Sequence, residues 1–438
     1  MKVLIFGLGQ YPQGSGVSAA VYFAEKGEDV RVTDLRSEKE LGANVRRLKK
    51  FKNVEFVLGK HRKSDIRWAD IIIRNPGVRQ HSVWMTLARQ FEKRIESDVS
   101  LFMEACPCPV VGITGTRGKS TTSALTAEML KASGKKTWLG GNIKVSPLTF
   151  IDNVRADHVV VLELSSWLVE TLGERGMSPQ IACITNIMRD HLNAYENMEA
   201  YVEAKAQIFR HQRPDDILVL NADDSYTKQF QKEAPSTGKT FSLKKKADSD
   251  RLIAVKDLRL LGEHNLANAR AAAVIARSAG ATLAGIRKAV KSFAGLPDRL
   301  EVIAEKKGIL FINDTTATTP DATMAAVRAI SQDRKTIHLI FGGADKELEF
   351  DDVASLLKKK KICISVFDGT AFSKIEKAFK KANASFQSVS SMKESVTYHR
   401  KHAKKGDVIL LSPGCASFGM FRNEFERGDQ FKKVVRKI

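Results

Sequence analysis

No run of about 18 apolar residues occurs in this chain, which argues against a membrane-spanning helix. The opening Met1-Lys-Val-Leu-Ile-Phe-Gly7 is too short an apolar stretch for a secretory signal, so a cytosolic, cytoplasmic protein without membrane insertion is expected. Cysteine is scarce: Cys106 and Cys108 flank Pro107, the other three are scattered, and the five form neither an even disulfide framework nor a zinc-ligand spacing. Reduced thiols are expected. Negative charge is also short, with 50 acidic against 71 basic residues and a net charge of +21. Such a balance admits nucleic acid, an anionic membrane surface or polyanionic small substrates. The basic runs Lys244–Lys246, Lys358–Lys361 and Lys404–Lys405 carry no interleaved aromatic residues, so they read as solvated loops and no nucleic-acid partner is expected.

What is present is length and apolar content. With 438 residues and 43% hydrophobic side chains, the chain can bury several cores, and a rule of about 150 residues per domain suggests roughly three. The most informative stretch is Pro109-Val-Val-Gly-Ile-Thr-Gly-Thr-Arg-Gly-Lys-Ser-Thr-Thr122. A short apolar strand enters it, Gly112, Gly115 and Gly118 loosen the turn, and a helix-compatible segment from Thr121 to Ser133 leaves it, ending at Gly134. Backbone N–H groups can converge there on phosphate oxygens, with Lys119 as a point charge and the Ser120 hydroxyl as a Mg²⁺ ligand. The general phosphate-loop pattern wants Gly at position 113, where Ile113 stands, yet Gly-Lys-Ser lies between strand and helix as the chemistry requires. Binding of a nucleoside triphosphate follows.

Ahead of that loop, Val3–Phe6, a helix from about Val17 to Gly27 and the strand Val30–Thr33 read as a βαβ opening. Its glycines miss the dinucleotide fingerprint, because Pro12 stands where the third glycine belongs. Asp34 and Arg36 at the second strand's end suit either a ribose, uracil or phosphate, or a cap and a solvated charge. Strand Ile71–Ile73 runs into another turn at Arg74-Asn-Pro-Gly77. Beyond the loop, Val159–Leu162 reads as a strand buried on both faces that ends in Glu163, a carboxylate placed for Mg²⁺. Asp190 and His191 follow the strand Ile181–Ile184, a pair more often found as a cap or surface turn than as ligands. Lys205 shares a helical face with Tyr201 and Ile208, where a lysine usually snorkels over its helix. The strand Ile217–Leu220 precedes Asn221, and Asn265 and Asn268 open an alanine-rich helix whose first turn offers amides to a base or ribose. After Leu296-Pro297, strands at Ile309–Ile312, Thr336–Phe341, Ile362–Phe367 and Val408–Leu411 alternate with helical segments. The fold class is α/β in three domains: a Rossmann-like domain over residues 1–98, a central P-loop ATPase-like domain with a mostly parallel sheet over 99–296, and a second Rossmann-like domain over 297–438.

Seven ordered motifs then carry a resemblance across nearly the whole chain. Gly115-Thr-Arg-Gly-Lys-Ser-Thr121, Leu162-Glu-Leu-Ser-Ser166, Asp190-His191, Gly262-Glu-His-Asn265 with Asn268, Gly295-Leu-Pro-Asp-Arg299, Asn313-Asp314 and Leu411-Ser-Pro-Gly-Cys-Ala-Ser417 resemble the Mur ligases, and most closely their glutamate-adding branch. The resemblance implies an ATP-dependent amide ligase that adds D-glutamate to UDP-N-acetylmuramoyl-L-alanine through an acyl phosphate, in peptidoglycan precursor synthesis, and a monomer. It implies that ATP lies on Gly115, Thr116, Arg117, Gly118, Lys119, Ser120 and Thr121, with Asn265, Asn268, Arg299 and Asp314 toward its adenine, phosphates and ribose. Two Mg²⁺ sites follow, one on Ser120 and Glu163 and one on His191, with Lys205 as a carbamylated lysine; Lys119, Glu163, His191 and Lys205 form the catalytic set. Asp34, Arg36, Gly77 and Asn142 belong to the muramoyl-nucleotide side, with Asp190 acting indirectly, and Thr318, Lys346 and Ser417 to the incoming glutamate.

Three positions depart from the family pattern: Arg117 for Asn, Thr316 for Lys, and Glu424 for an aromatic residue with Phe425 one place on. The segment Gln10–Ser15 also resembles an insertion beside the uridine loop. The departures at Thr316 and Glu424 leave open a related ligase with another acceptor such as L-glutamate, and the net charge of +21 leaves open a basic ATP-dependent nucleic-acid- or membrane-surface-binding protein.

Overall fold

Apolar runs bounded by glycine turns fold as strands buried on both faces, and the intervening amphipathic segments cover them as helices. The computed structural model describes residues 1–143, 145–190, 194–253, 258–260, 262–331 and 336–438. These divide into two compact units, one of residues 1–258 with 266–293 and the other of 259–265 with 294–438.

The first unit carries two sheets. In the first, β1 (Lys2–Phe6), β2 (Asp29–Asp34), β3 (Val54–Leu58), β4 (Ile71–Arg74) and β5 (Arg94–Glu96) run parallel in the order β3-β2-β1-β4-β5. The order reverses between β1 and β4, and the C-terminal ends of those two strands form the crevice where such sheets bind ligands. The second sheet holds β6 (Val110–Thr114), β7 (Thr137–Gly141), β8 (Val159–Glu163), β9 (Ile181–Ile184), β10 (Ile217–Asn221) and β11 (Thr237–Phe241), all parallel in the order β11-β10-β9-β6-β8-β7. Every residue of β6 and β8 is buried, as their mostly apolar Val, Ile and Leu content predicts, including Gly112, Thr114 and the terminal Glu163. Arg74, 1% exposed, ties the first sheet to the helix Ser166–Glu174 by donating to the Trp167 carbonyl and the Thr171 hydroxyl, 2.5 and 2.6 Å away.

The second unit has one mixed sheet. β12 (Glu301–Lys306) pairs antiparallel with β13 (Ile309–Asn313), and β14 (Ile337–Phe341), β15 (Cys363–Phe367), β16 (Gln387–Val389) and β17 (Val408–Leu411) continue it in parallel, in the order β12-β13-β17-β14-β15-β16. Among the described residues no helix is long and apolar enough to cross a membrane. The five cysteines are free thiols, including Cys106 and Cys108.

Candidate active site

The phosphate loop is the turn between β6 and the helix Lys119–Ala132, which begins two residues earlier than the sequence suggests. Two glycines are obligatory there. Gly115 (φ +137°) and Gly118 (φ +86°) adopt backbone angles that side chains disfavour, and a Cβ on them would lie 2.0 Å from Thr185 Oγ1 and 2.2 Å from Asn268 Oδ1. The loop is therefore closely walled, with Asn268 against its last glycine. Lys119 curls back to donate to the carbonyls of Gly115 and Thr116 at 2.8 and 3.1 Å. Ser120 and Thr121 follow in the first helical turn, whose backbone N–H groups face the loop.

The strand next to the loop is stitched onto it. After β9, Asn186 accepts the Arg117 N–H at 2.9 Å, its carbonyl accepts the Thr116 N–H at 2.8 Å, and the Thr116 hydroxyl accepts the Met188 N–H at 3.0 Å. The Arg117 side chain, half exposed, pairs with Asp190 at 2.7 Å. His191 lies outside the described residues.

Two buried ionisable groups complete this half. Glu163 ends β8, is 2% exposed, and accepts from Asn142 Nδ2 at 3.2 Å through Oε1. Its other oxygen, Oε2, is buried and has no hydrogen-bond partner among the described residues. A carboxylate left so in a protein interior is costly unless a cation meets it, so the residues present fit a divalent metal beside the phosphate loop. Lys205, on the helix Met198–Arg210, does not snorkel. It is 2% exposed, donates to the Gly115 carbonyl at 3.0 Å and lies 4.7 Å from the Tyr201 ring, whose hydroxyl shares a hydrogen bond with Thr116 Oγ1. Burial first, then the nearby Lys119 charge, draws its amine well below the usual lysine range. A neutral, nucleophilic amine is what carbamylation by CO₂ requires.

At the tip of the first sheet, Asp34 is already engaged. Its carboxylate accepts the Leu8 N–H at 2.9 Å and grips Arg36 at 2.9 Å, so it shapes the turn after β1 and orients Arg36. Burial pushes this carboxyl up, but the Arg36 and backbone hydrogen bonds outweigh it and hold the group low. Asn75 closes the crevice opposite Gly7 and Gly9, and its side chain accepts the Gly77 N–H at 3.0 Å. The Gln10–Ser15 segment is anchored, with the Pro12 carbonyl bound by Arg47 and the Gln13 carbonyl by the Ser146 N–H, each at 2.8 Å. His61 stacks on Phe6 at 4.1 Å and bonds Thr33, an aromatic wall of this tip that no local sequence pattern announces.

In the second unit the sites gather at the C-terminal strand ends. Asp314 follows β13, is 8% exposed, and accepts from Ser412 Oγ at 2.8 Å and the Leu300 N–H at 3.2 Å. Burial dominates and lifts its carboxyl to about 7. Because the folded state holds the proton more tightly, this contribution to stability is complete below the ordinary carboxylate range and is lost as pH rises through about 7. Asp314→Asn cannot ionise, so between about pH 6 and pH 8 the variant should gain about 1.4 kcal/mol relative to wild type. Chemical denaturation of both proteins at the two pH values checks this, and a pH-independent difference would refute it.

Ser417 is buried at 2% exposure, and Lys346 Nζ sits 5.7 Å from the Phe418 ring. The loops bearing Thr318 and Ser417 are clamped by Arg427. Fully buried, Arg427 donates to the Thr315 carbonyl and hydroxyl at 2.9 and 3.1 Å and to the Cys415 carbonyl at 3.1 Å. Burial draws its guanidinium down to about 10, so it stays cationic at neutral pH. Thr316 uses its hydroxyl on the Asp298 carbonyl, and Glu424 opens the helix Glu424–Arg436 with its carbonyl bound by Thr315. Both departures therefore belong to the framework of the loops. Arg299 and Asn265 lie in this unit's residues, and Asn268 in the other's.

Comparison with known proteins accords with this arrangement. Residues 1–96 match the N-terminal domain of MurD-like Mur ligases, 113–276 the Mur ligase middle domain, and 298–415 the Mur ligase glutamate ligase domain. The chain is 39% identical to the UDP-N-acetylmuramoylalanine–D-glutamate ligase of Roseiflexus sp. (strain RS-1), over 99% of this chain and 98% of that one. It is 34% identical to the ligase of the same name from Borreliella burgdorferi (strain ZS7), over 100% and 98% of the two chains. Among solved structures, the UDP-N-acetylmuramate-alanine ligase of Thermotoga maritima shares the fold with a TM-score of 0.65 at 21% identity, over 100% and 99% of the chains. MurF from Acinetobacter baumannii does so with 0.64 at 18%, over 99% and 93%. With the phosphate loop, the buried acid on the adjacent strand and this match along its whole length, the chain belongs to the Mur ligase family of ATP-dependent ligases.

Proposed function

We propose that this ligase joins D-glutamate to UDP-N-acetylmuramoyl-L-alanine with cleavage of ATP to ADP and phosphate, as a monomer in the cytoplasm. The observation that carries the chemistry is Glu163 Oε2, without a hydrogen-bond partner among the described residues and buried at the strand end beside the phosphate loop. The full-length similarity to glutamate-adding ligases supports the choice of amino acid. Residues 1–98, 99–296 and 297–438 are assigned to nucleotide-sugar binding, ATP binding and amino-acid binding.

The loop residues Gly115, Thr116, Arg117, Gly118, Lys119, Ser120 and Thr121 receive the triphosphate, Lys119 turning from the loop carbonyls onto the phosphates. Ser120 with Glu163, and His191 with a carbamylated Lys205, would hold Mg²⁺, which would supply charge neutralisation on the phosphate oxygens. Arg36, Gly77 and Asn142 hold the muramoyl nucleotide, with Asp34 setting the Arg36 guanidinium. A carboxylate oxygen of the substrate's alanine attacks the γ-phosphorus, the bond to ADP breaks, and an acyl phosphate results. Thr318, Lys346 and Ser417 bind the carboxylates of glutamate, for which a lysine and hydroxyls are apt donors. Its free amine then attacks the acyl carbon, loses a proton, and phosphate leaves. Asn265, Asn268, Arg299 and Asp314 serve the nucleoside end of ATP.

The test is Mg²⁺- and ATP-dependent phosphate release with UDP-N-acetylmuramoyl-L-alanine and, in turn, D-glutamate, L-glutamate, D-aspartate or no amino acid. Stimulation by D-glutamate alone is expected. Stimulation by L-glutamate instead would move the acceptor assignment onto the Thr316 and Glu424 departures, and silence with all of them would defeat the reading.

A further inference from the structure

At the opposite end of the second unit's sheet from Lys346 and Ser417, three metal-binding side chains meet inside the fold. His338 is the second residue of β14, Cys363 the first of β15, and the two are cross-strand partners in the parallel register, so their side chains share a face. The helix Met392–His402 covers that face and presents His399. One ligand atom from each of the three lies within 4.8 Å of the others. Their sequence separations match no zinc pattern, and only the fold assembles them.

The atoms around the trio orient it. His338 Nε2–H donates to the Asp407 carboxylate at 3.3 Å, while Nδ1 is buried without a hydrogen-bond partner among the described residues in a side chain 3% exposed. His399, wholly buried, meets Ser365 Oγ through Nε2 at 2.9 Å and Cys363 Sγ through Nδ1 at 3.8 Å. In the tautomer with the proton on Nε2, each ring uses its outer nitrogen on a polar partner and keeps the Nδ1 lone pair for a cation. A histidine held through its second nitrogen by a carboxylate is the usual support of a metal ligand. Cys363 is half-buried, which leaves an approach for an ion and a fourth ligand.

We propose that His338 Nδ1, Cys363 Sγ and His399 Nδ1 form a binding site for a borderline-soft divalent cation, Zn²⁺ foremost. Thiolate and imidazole donors select such ions over Mg²⁺ and Ca²⁺, and three of them with one open position suit tetrahedral Zn²⁺. Side-chain rotations of roughly an ångström close the trio to the spacing of a bound ion. Binding releases the thiol proton to solvent and joins the covering helix to β14 and β15. Its position predicts an effect on the stability of this unit rather than on turnover.

The experiment uses the full chain, freed of metal with chelator and titrated with Co²⁺ as a spectroscopic probe. The expected result is a one-to-one thiolate-to-cobalt charge-transfer band with the intense visible bands of four-coordinate cobalt, displaced by one equivalent of Zn²⁺. Cys363→Ser should abolish the band, and the double variant Cys106→Ser/Cys108→Ser should keep it. In the unmutated protein, Zn²⁺ should slow alkylation of Cys363, mapped by peptide mass, by roughly tenfold or more. This arm decides the matter even where Cys363→Ser does not fold. Absence of the band in the wild type, a band that follows Cys106 and Cys108 instead, or alkylation of Cys363 at an unchanged rate would overturn the site.

Discussion

Glu163→Gln should lower Mg²⁺-dependent turnover by roughly 10³-fold while the protein stays folded. Glutamine matches glutamate in shape, and its amide oxygen can keep the 3.2 Å hydrogen bond from Asn142. The change falls on the other atom. Where Glu163 turns the bare oxygen Oε2 into the interior, glutamine turns an NH₂ group, a donor carrying positive charge toward the place a cation should occupy. In the absence of metal, stability should be unchanged or rise by about 1 kcal/mol, because a neutral buried amide replaces an unpaired carboxylate oxygen. The check is ADP release over a range of Mg²⁺ concentrations, beside a melting curve. A folded variant with wild-type turnover and an unchanged Mg²⁺ requirement would show that Glu163 does not serve the metal.

Much of this site was legible because α/β sheets display functional residues at strand ends, and the strands themselves were legible. Val159–Leu162 and Ile181–Ile184 read as buried strands from their unbroken apolar character, which located Glu163 and the segment after β9. Strands of weaker pattern were not read. β7, Thr-Trp-Leu-Gly-Gly, and β11, Thr-Gly-Lys-Thr-Phe, lie at sheet edges, where polar residues and glycine are tolerated and periodicity fades. The antiparallel β12, Glu-Val-Ile-Ala-Glu-Lys, is an edge strand of the same kind.

The contacts that support the candidate residues were less legible than the candidates themselves. Arg427 acts on loops more than a hundred residues away in sequence at Thr315, and no local pattern encodes the carbonyls it binds. The same holds for His61 against Phe6 and for Asn75 across the Gly7 turn. The environment of Lys205 reversed the ordinary expectation for a helical lysine. Its neighbours along the helix predicted a shared face with Tyr201 and Ile208, and burial of that face carried the amine inward to the Gly115 carbonyl.

Lys205→Met should therefore separate stability from activity. A buried amine with one hydrogen bond, close to Lys119, is an unfavourable group for the fold, and a methionine of similar length removes its desolvation cost. The variant should be as stable as wild type or more so, by about 1–2 kcal/mol. Turnover should nonetheless fall by roughly 10³-fold, since no carboxylate-like group can form at this position. A carbamate on Lys205 would have a separate signature in the unmutated enzyme. Removal of dissolved CO₂ should lower activity, bicarbonate should restore it, and ¹³C-labelled bicarbonate should give one carbamate resonance that Lys205→Met lacks. Two outcomes point elsewhere. An active Lys205→Met protein would make the lysine a packing residue, whereas an inactive variant with a wild type indifferent to CO₂ would leave Lys205 acting as the neutral amine that its burial beside Lys119 favours.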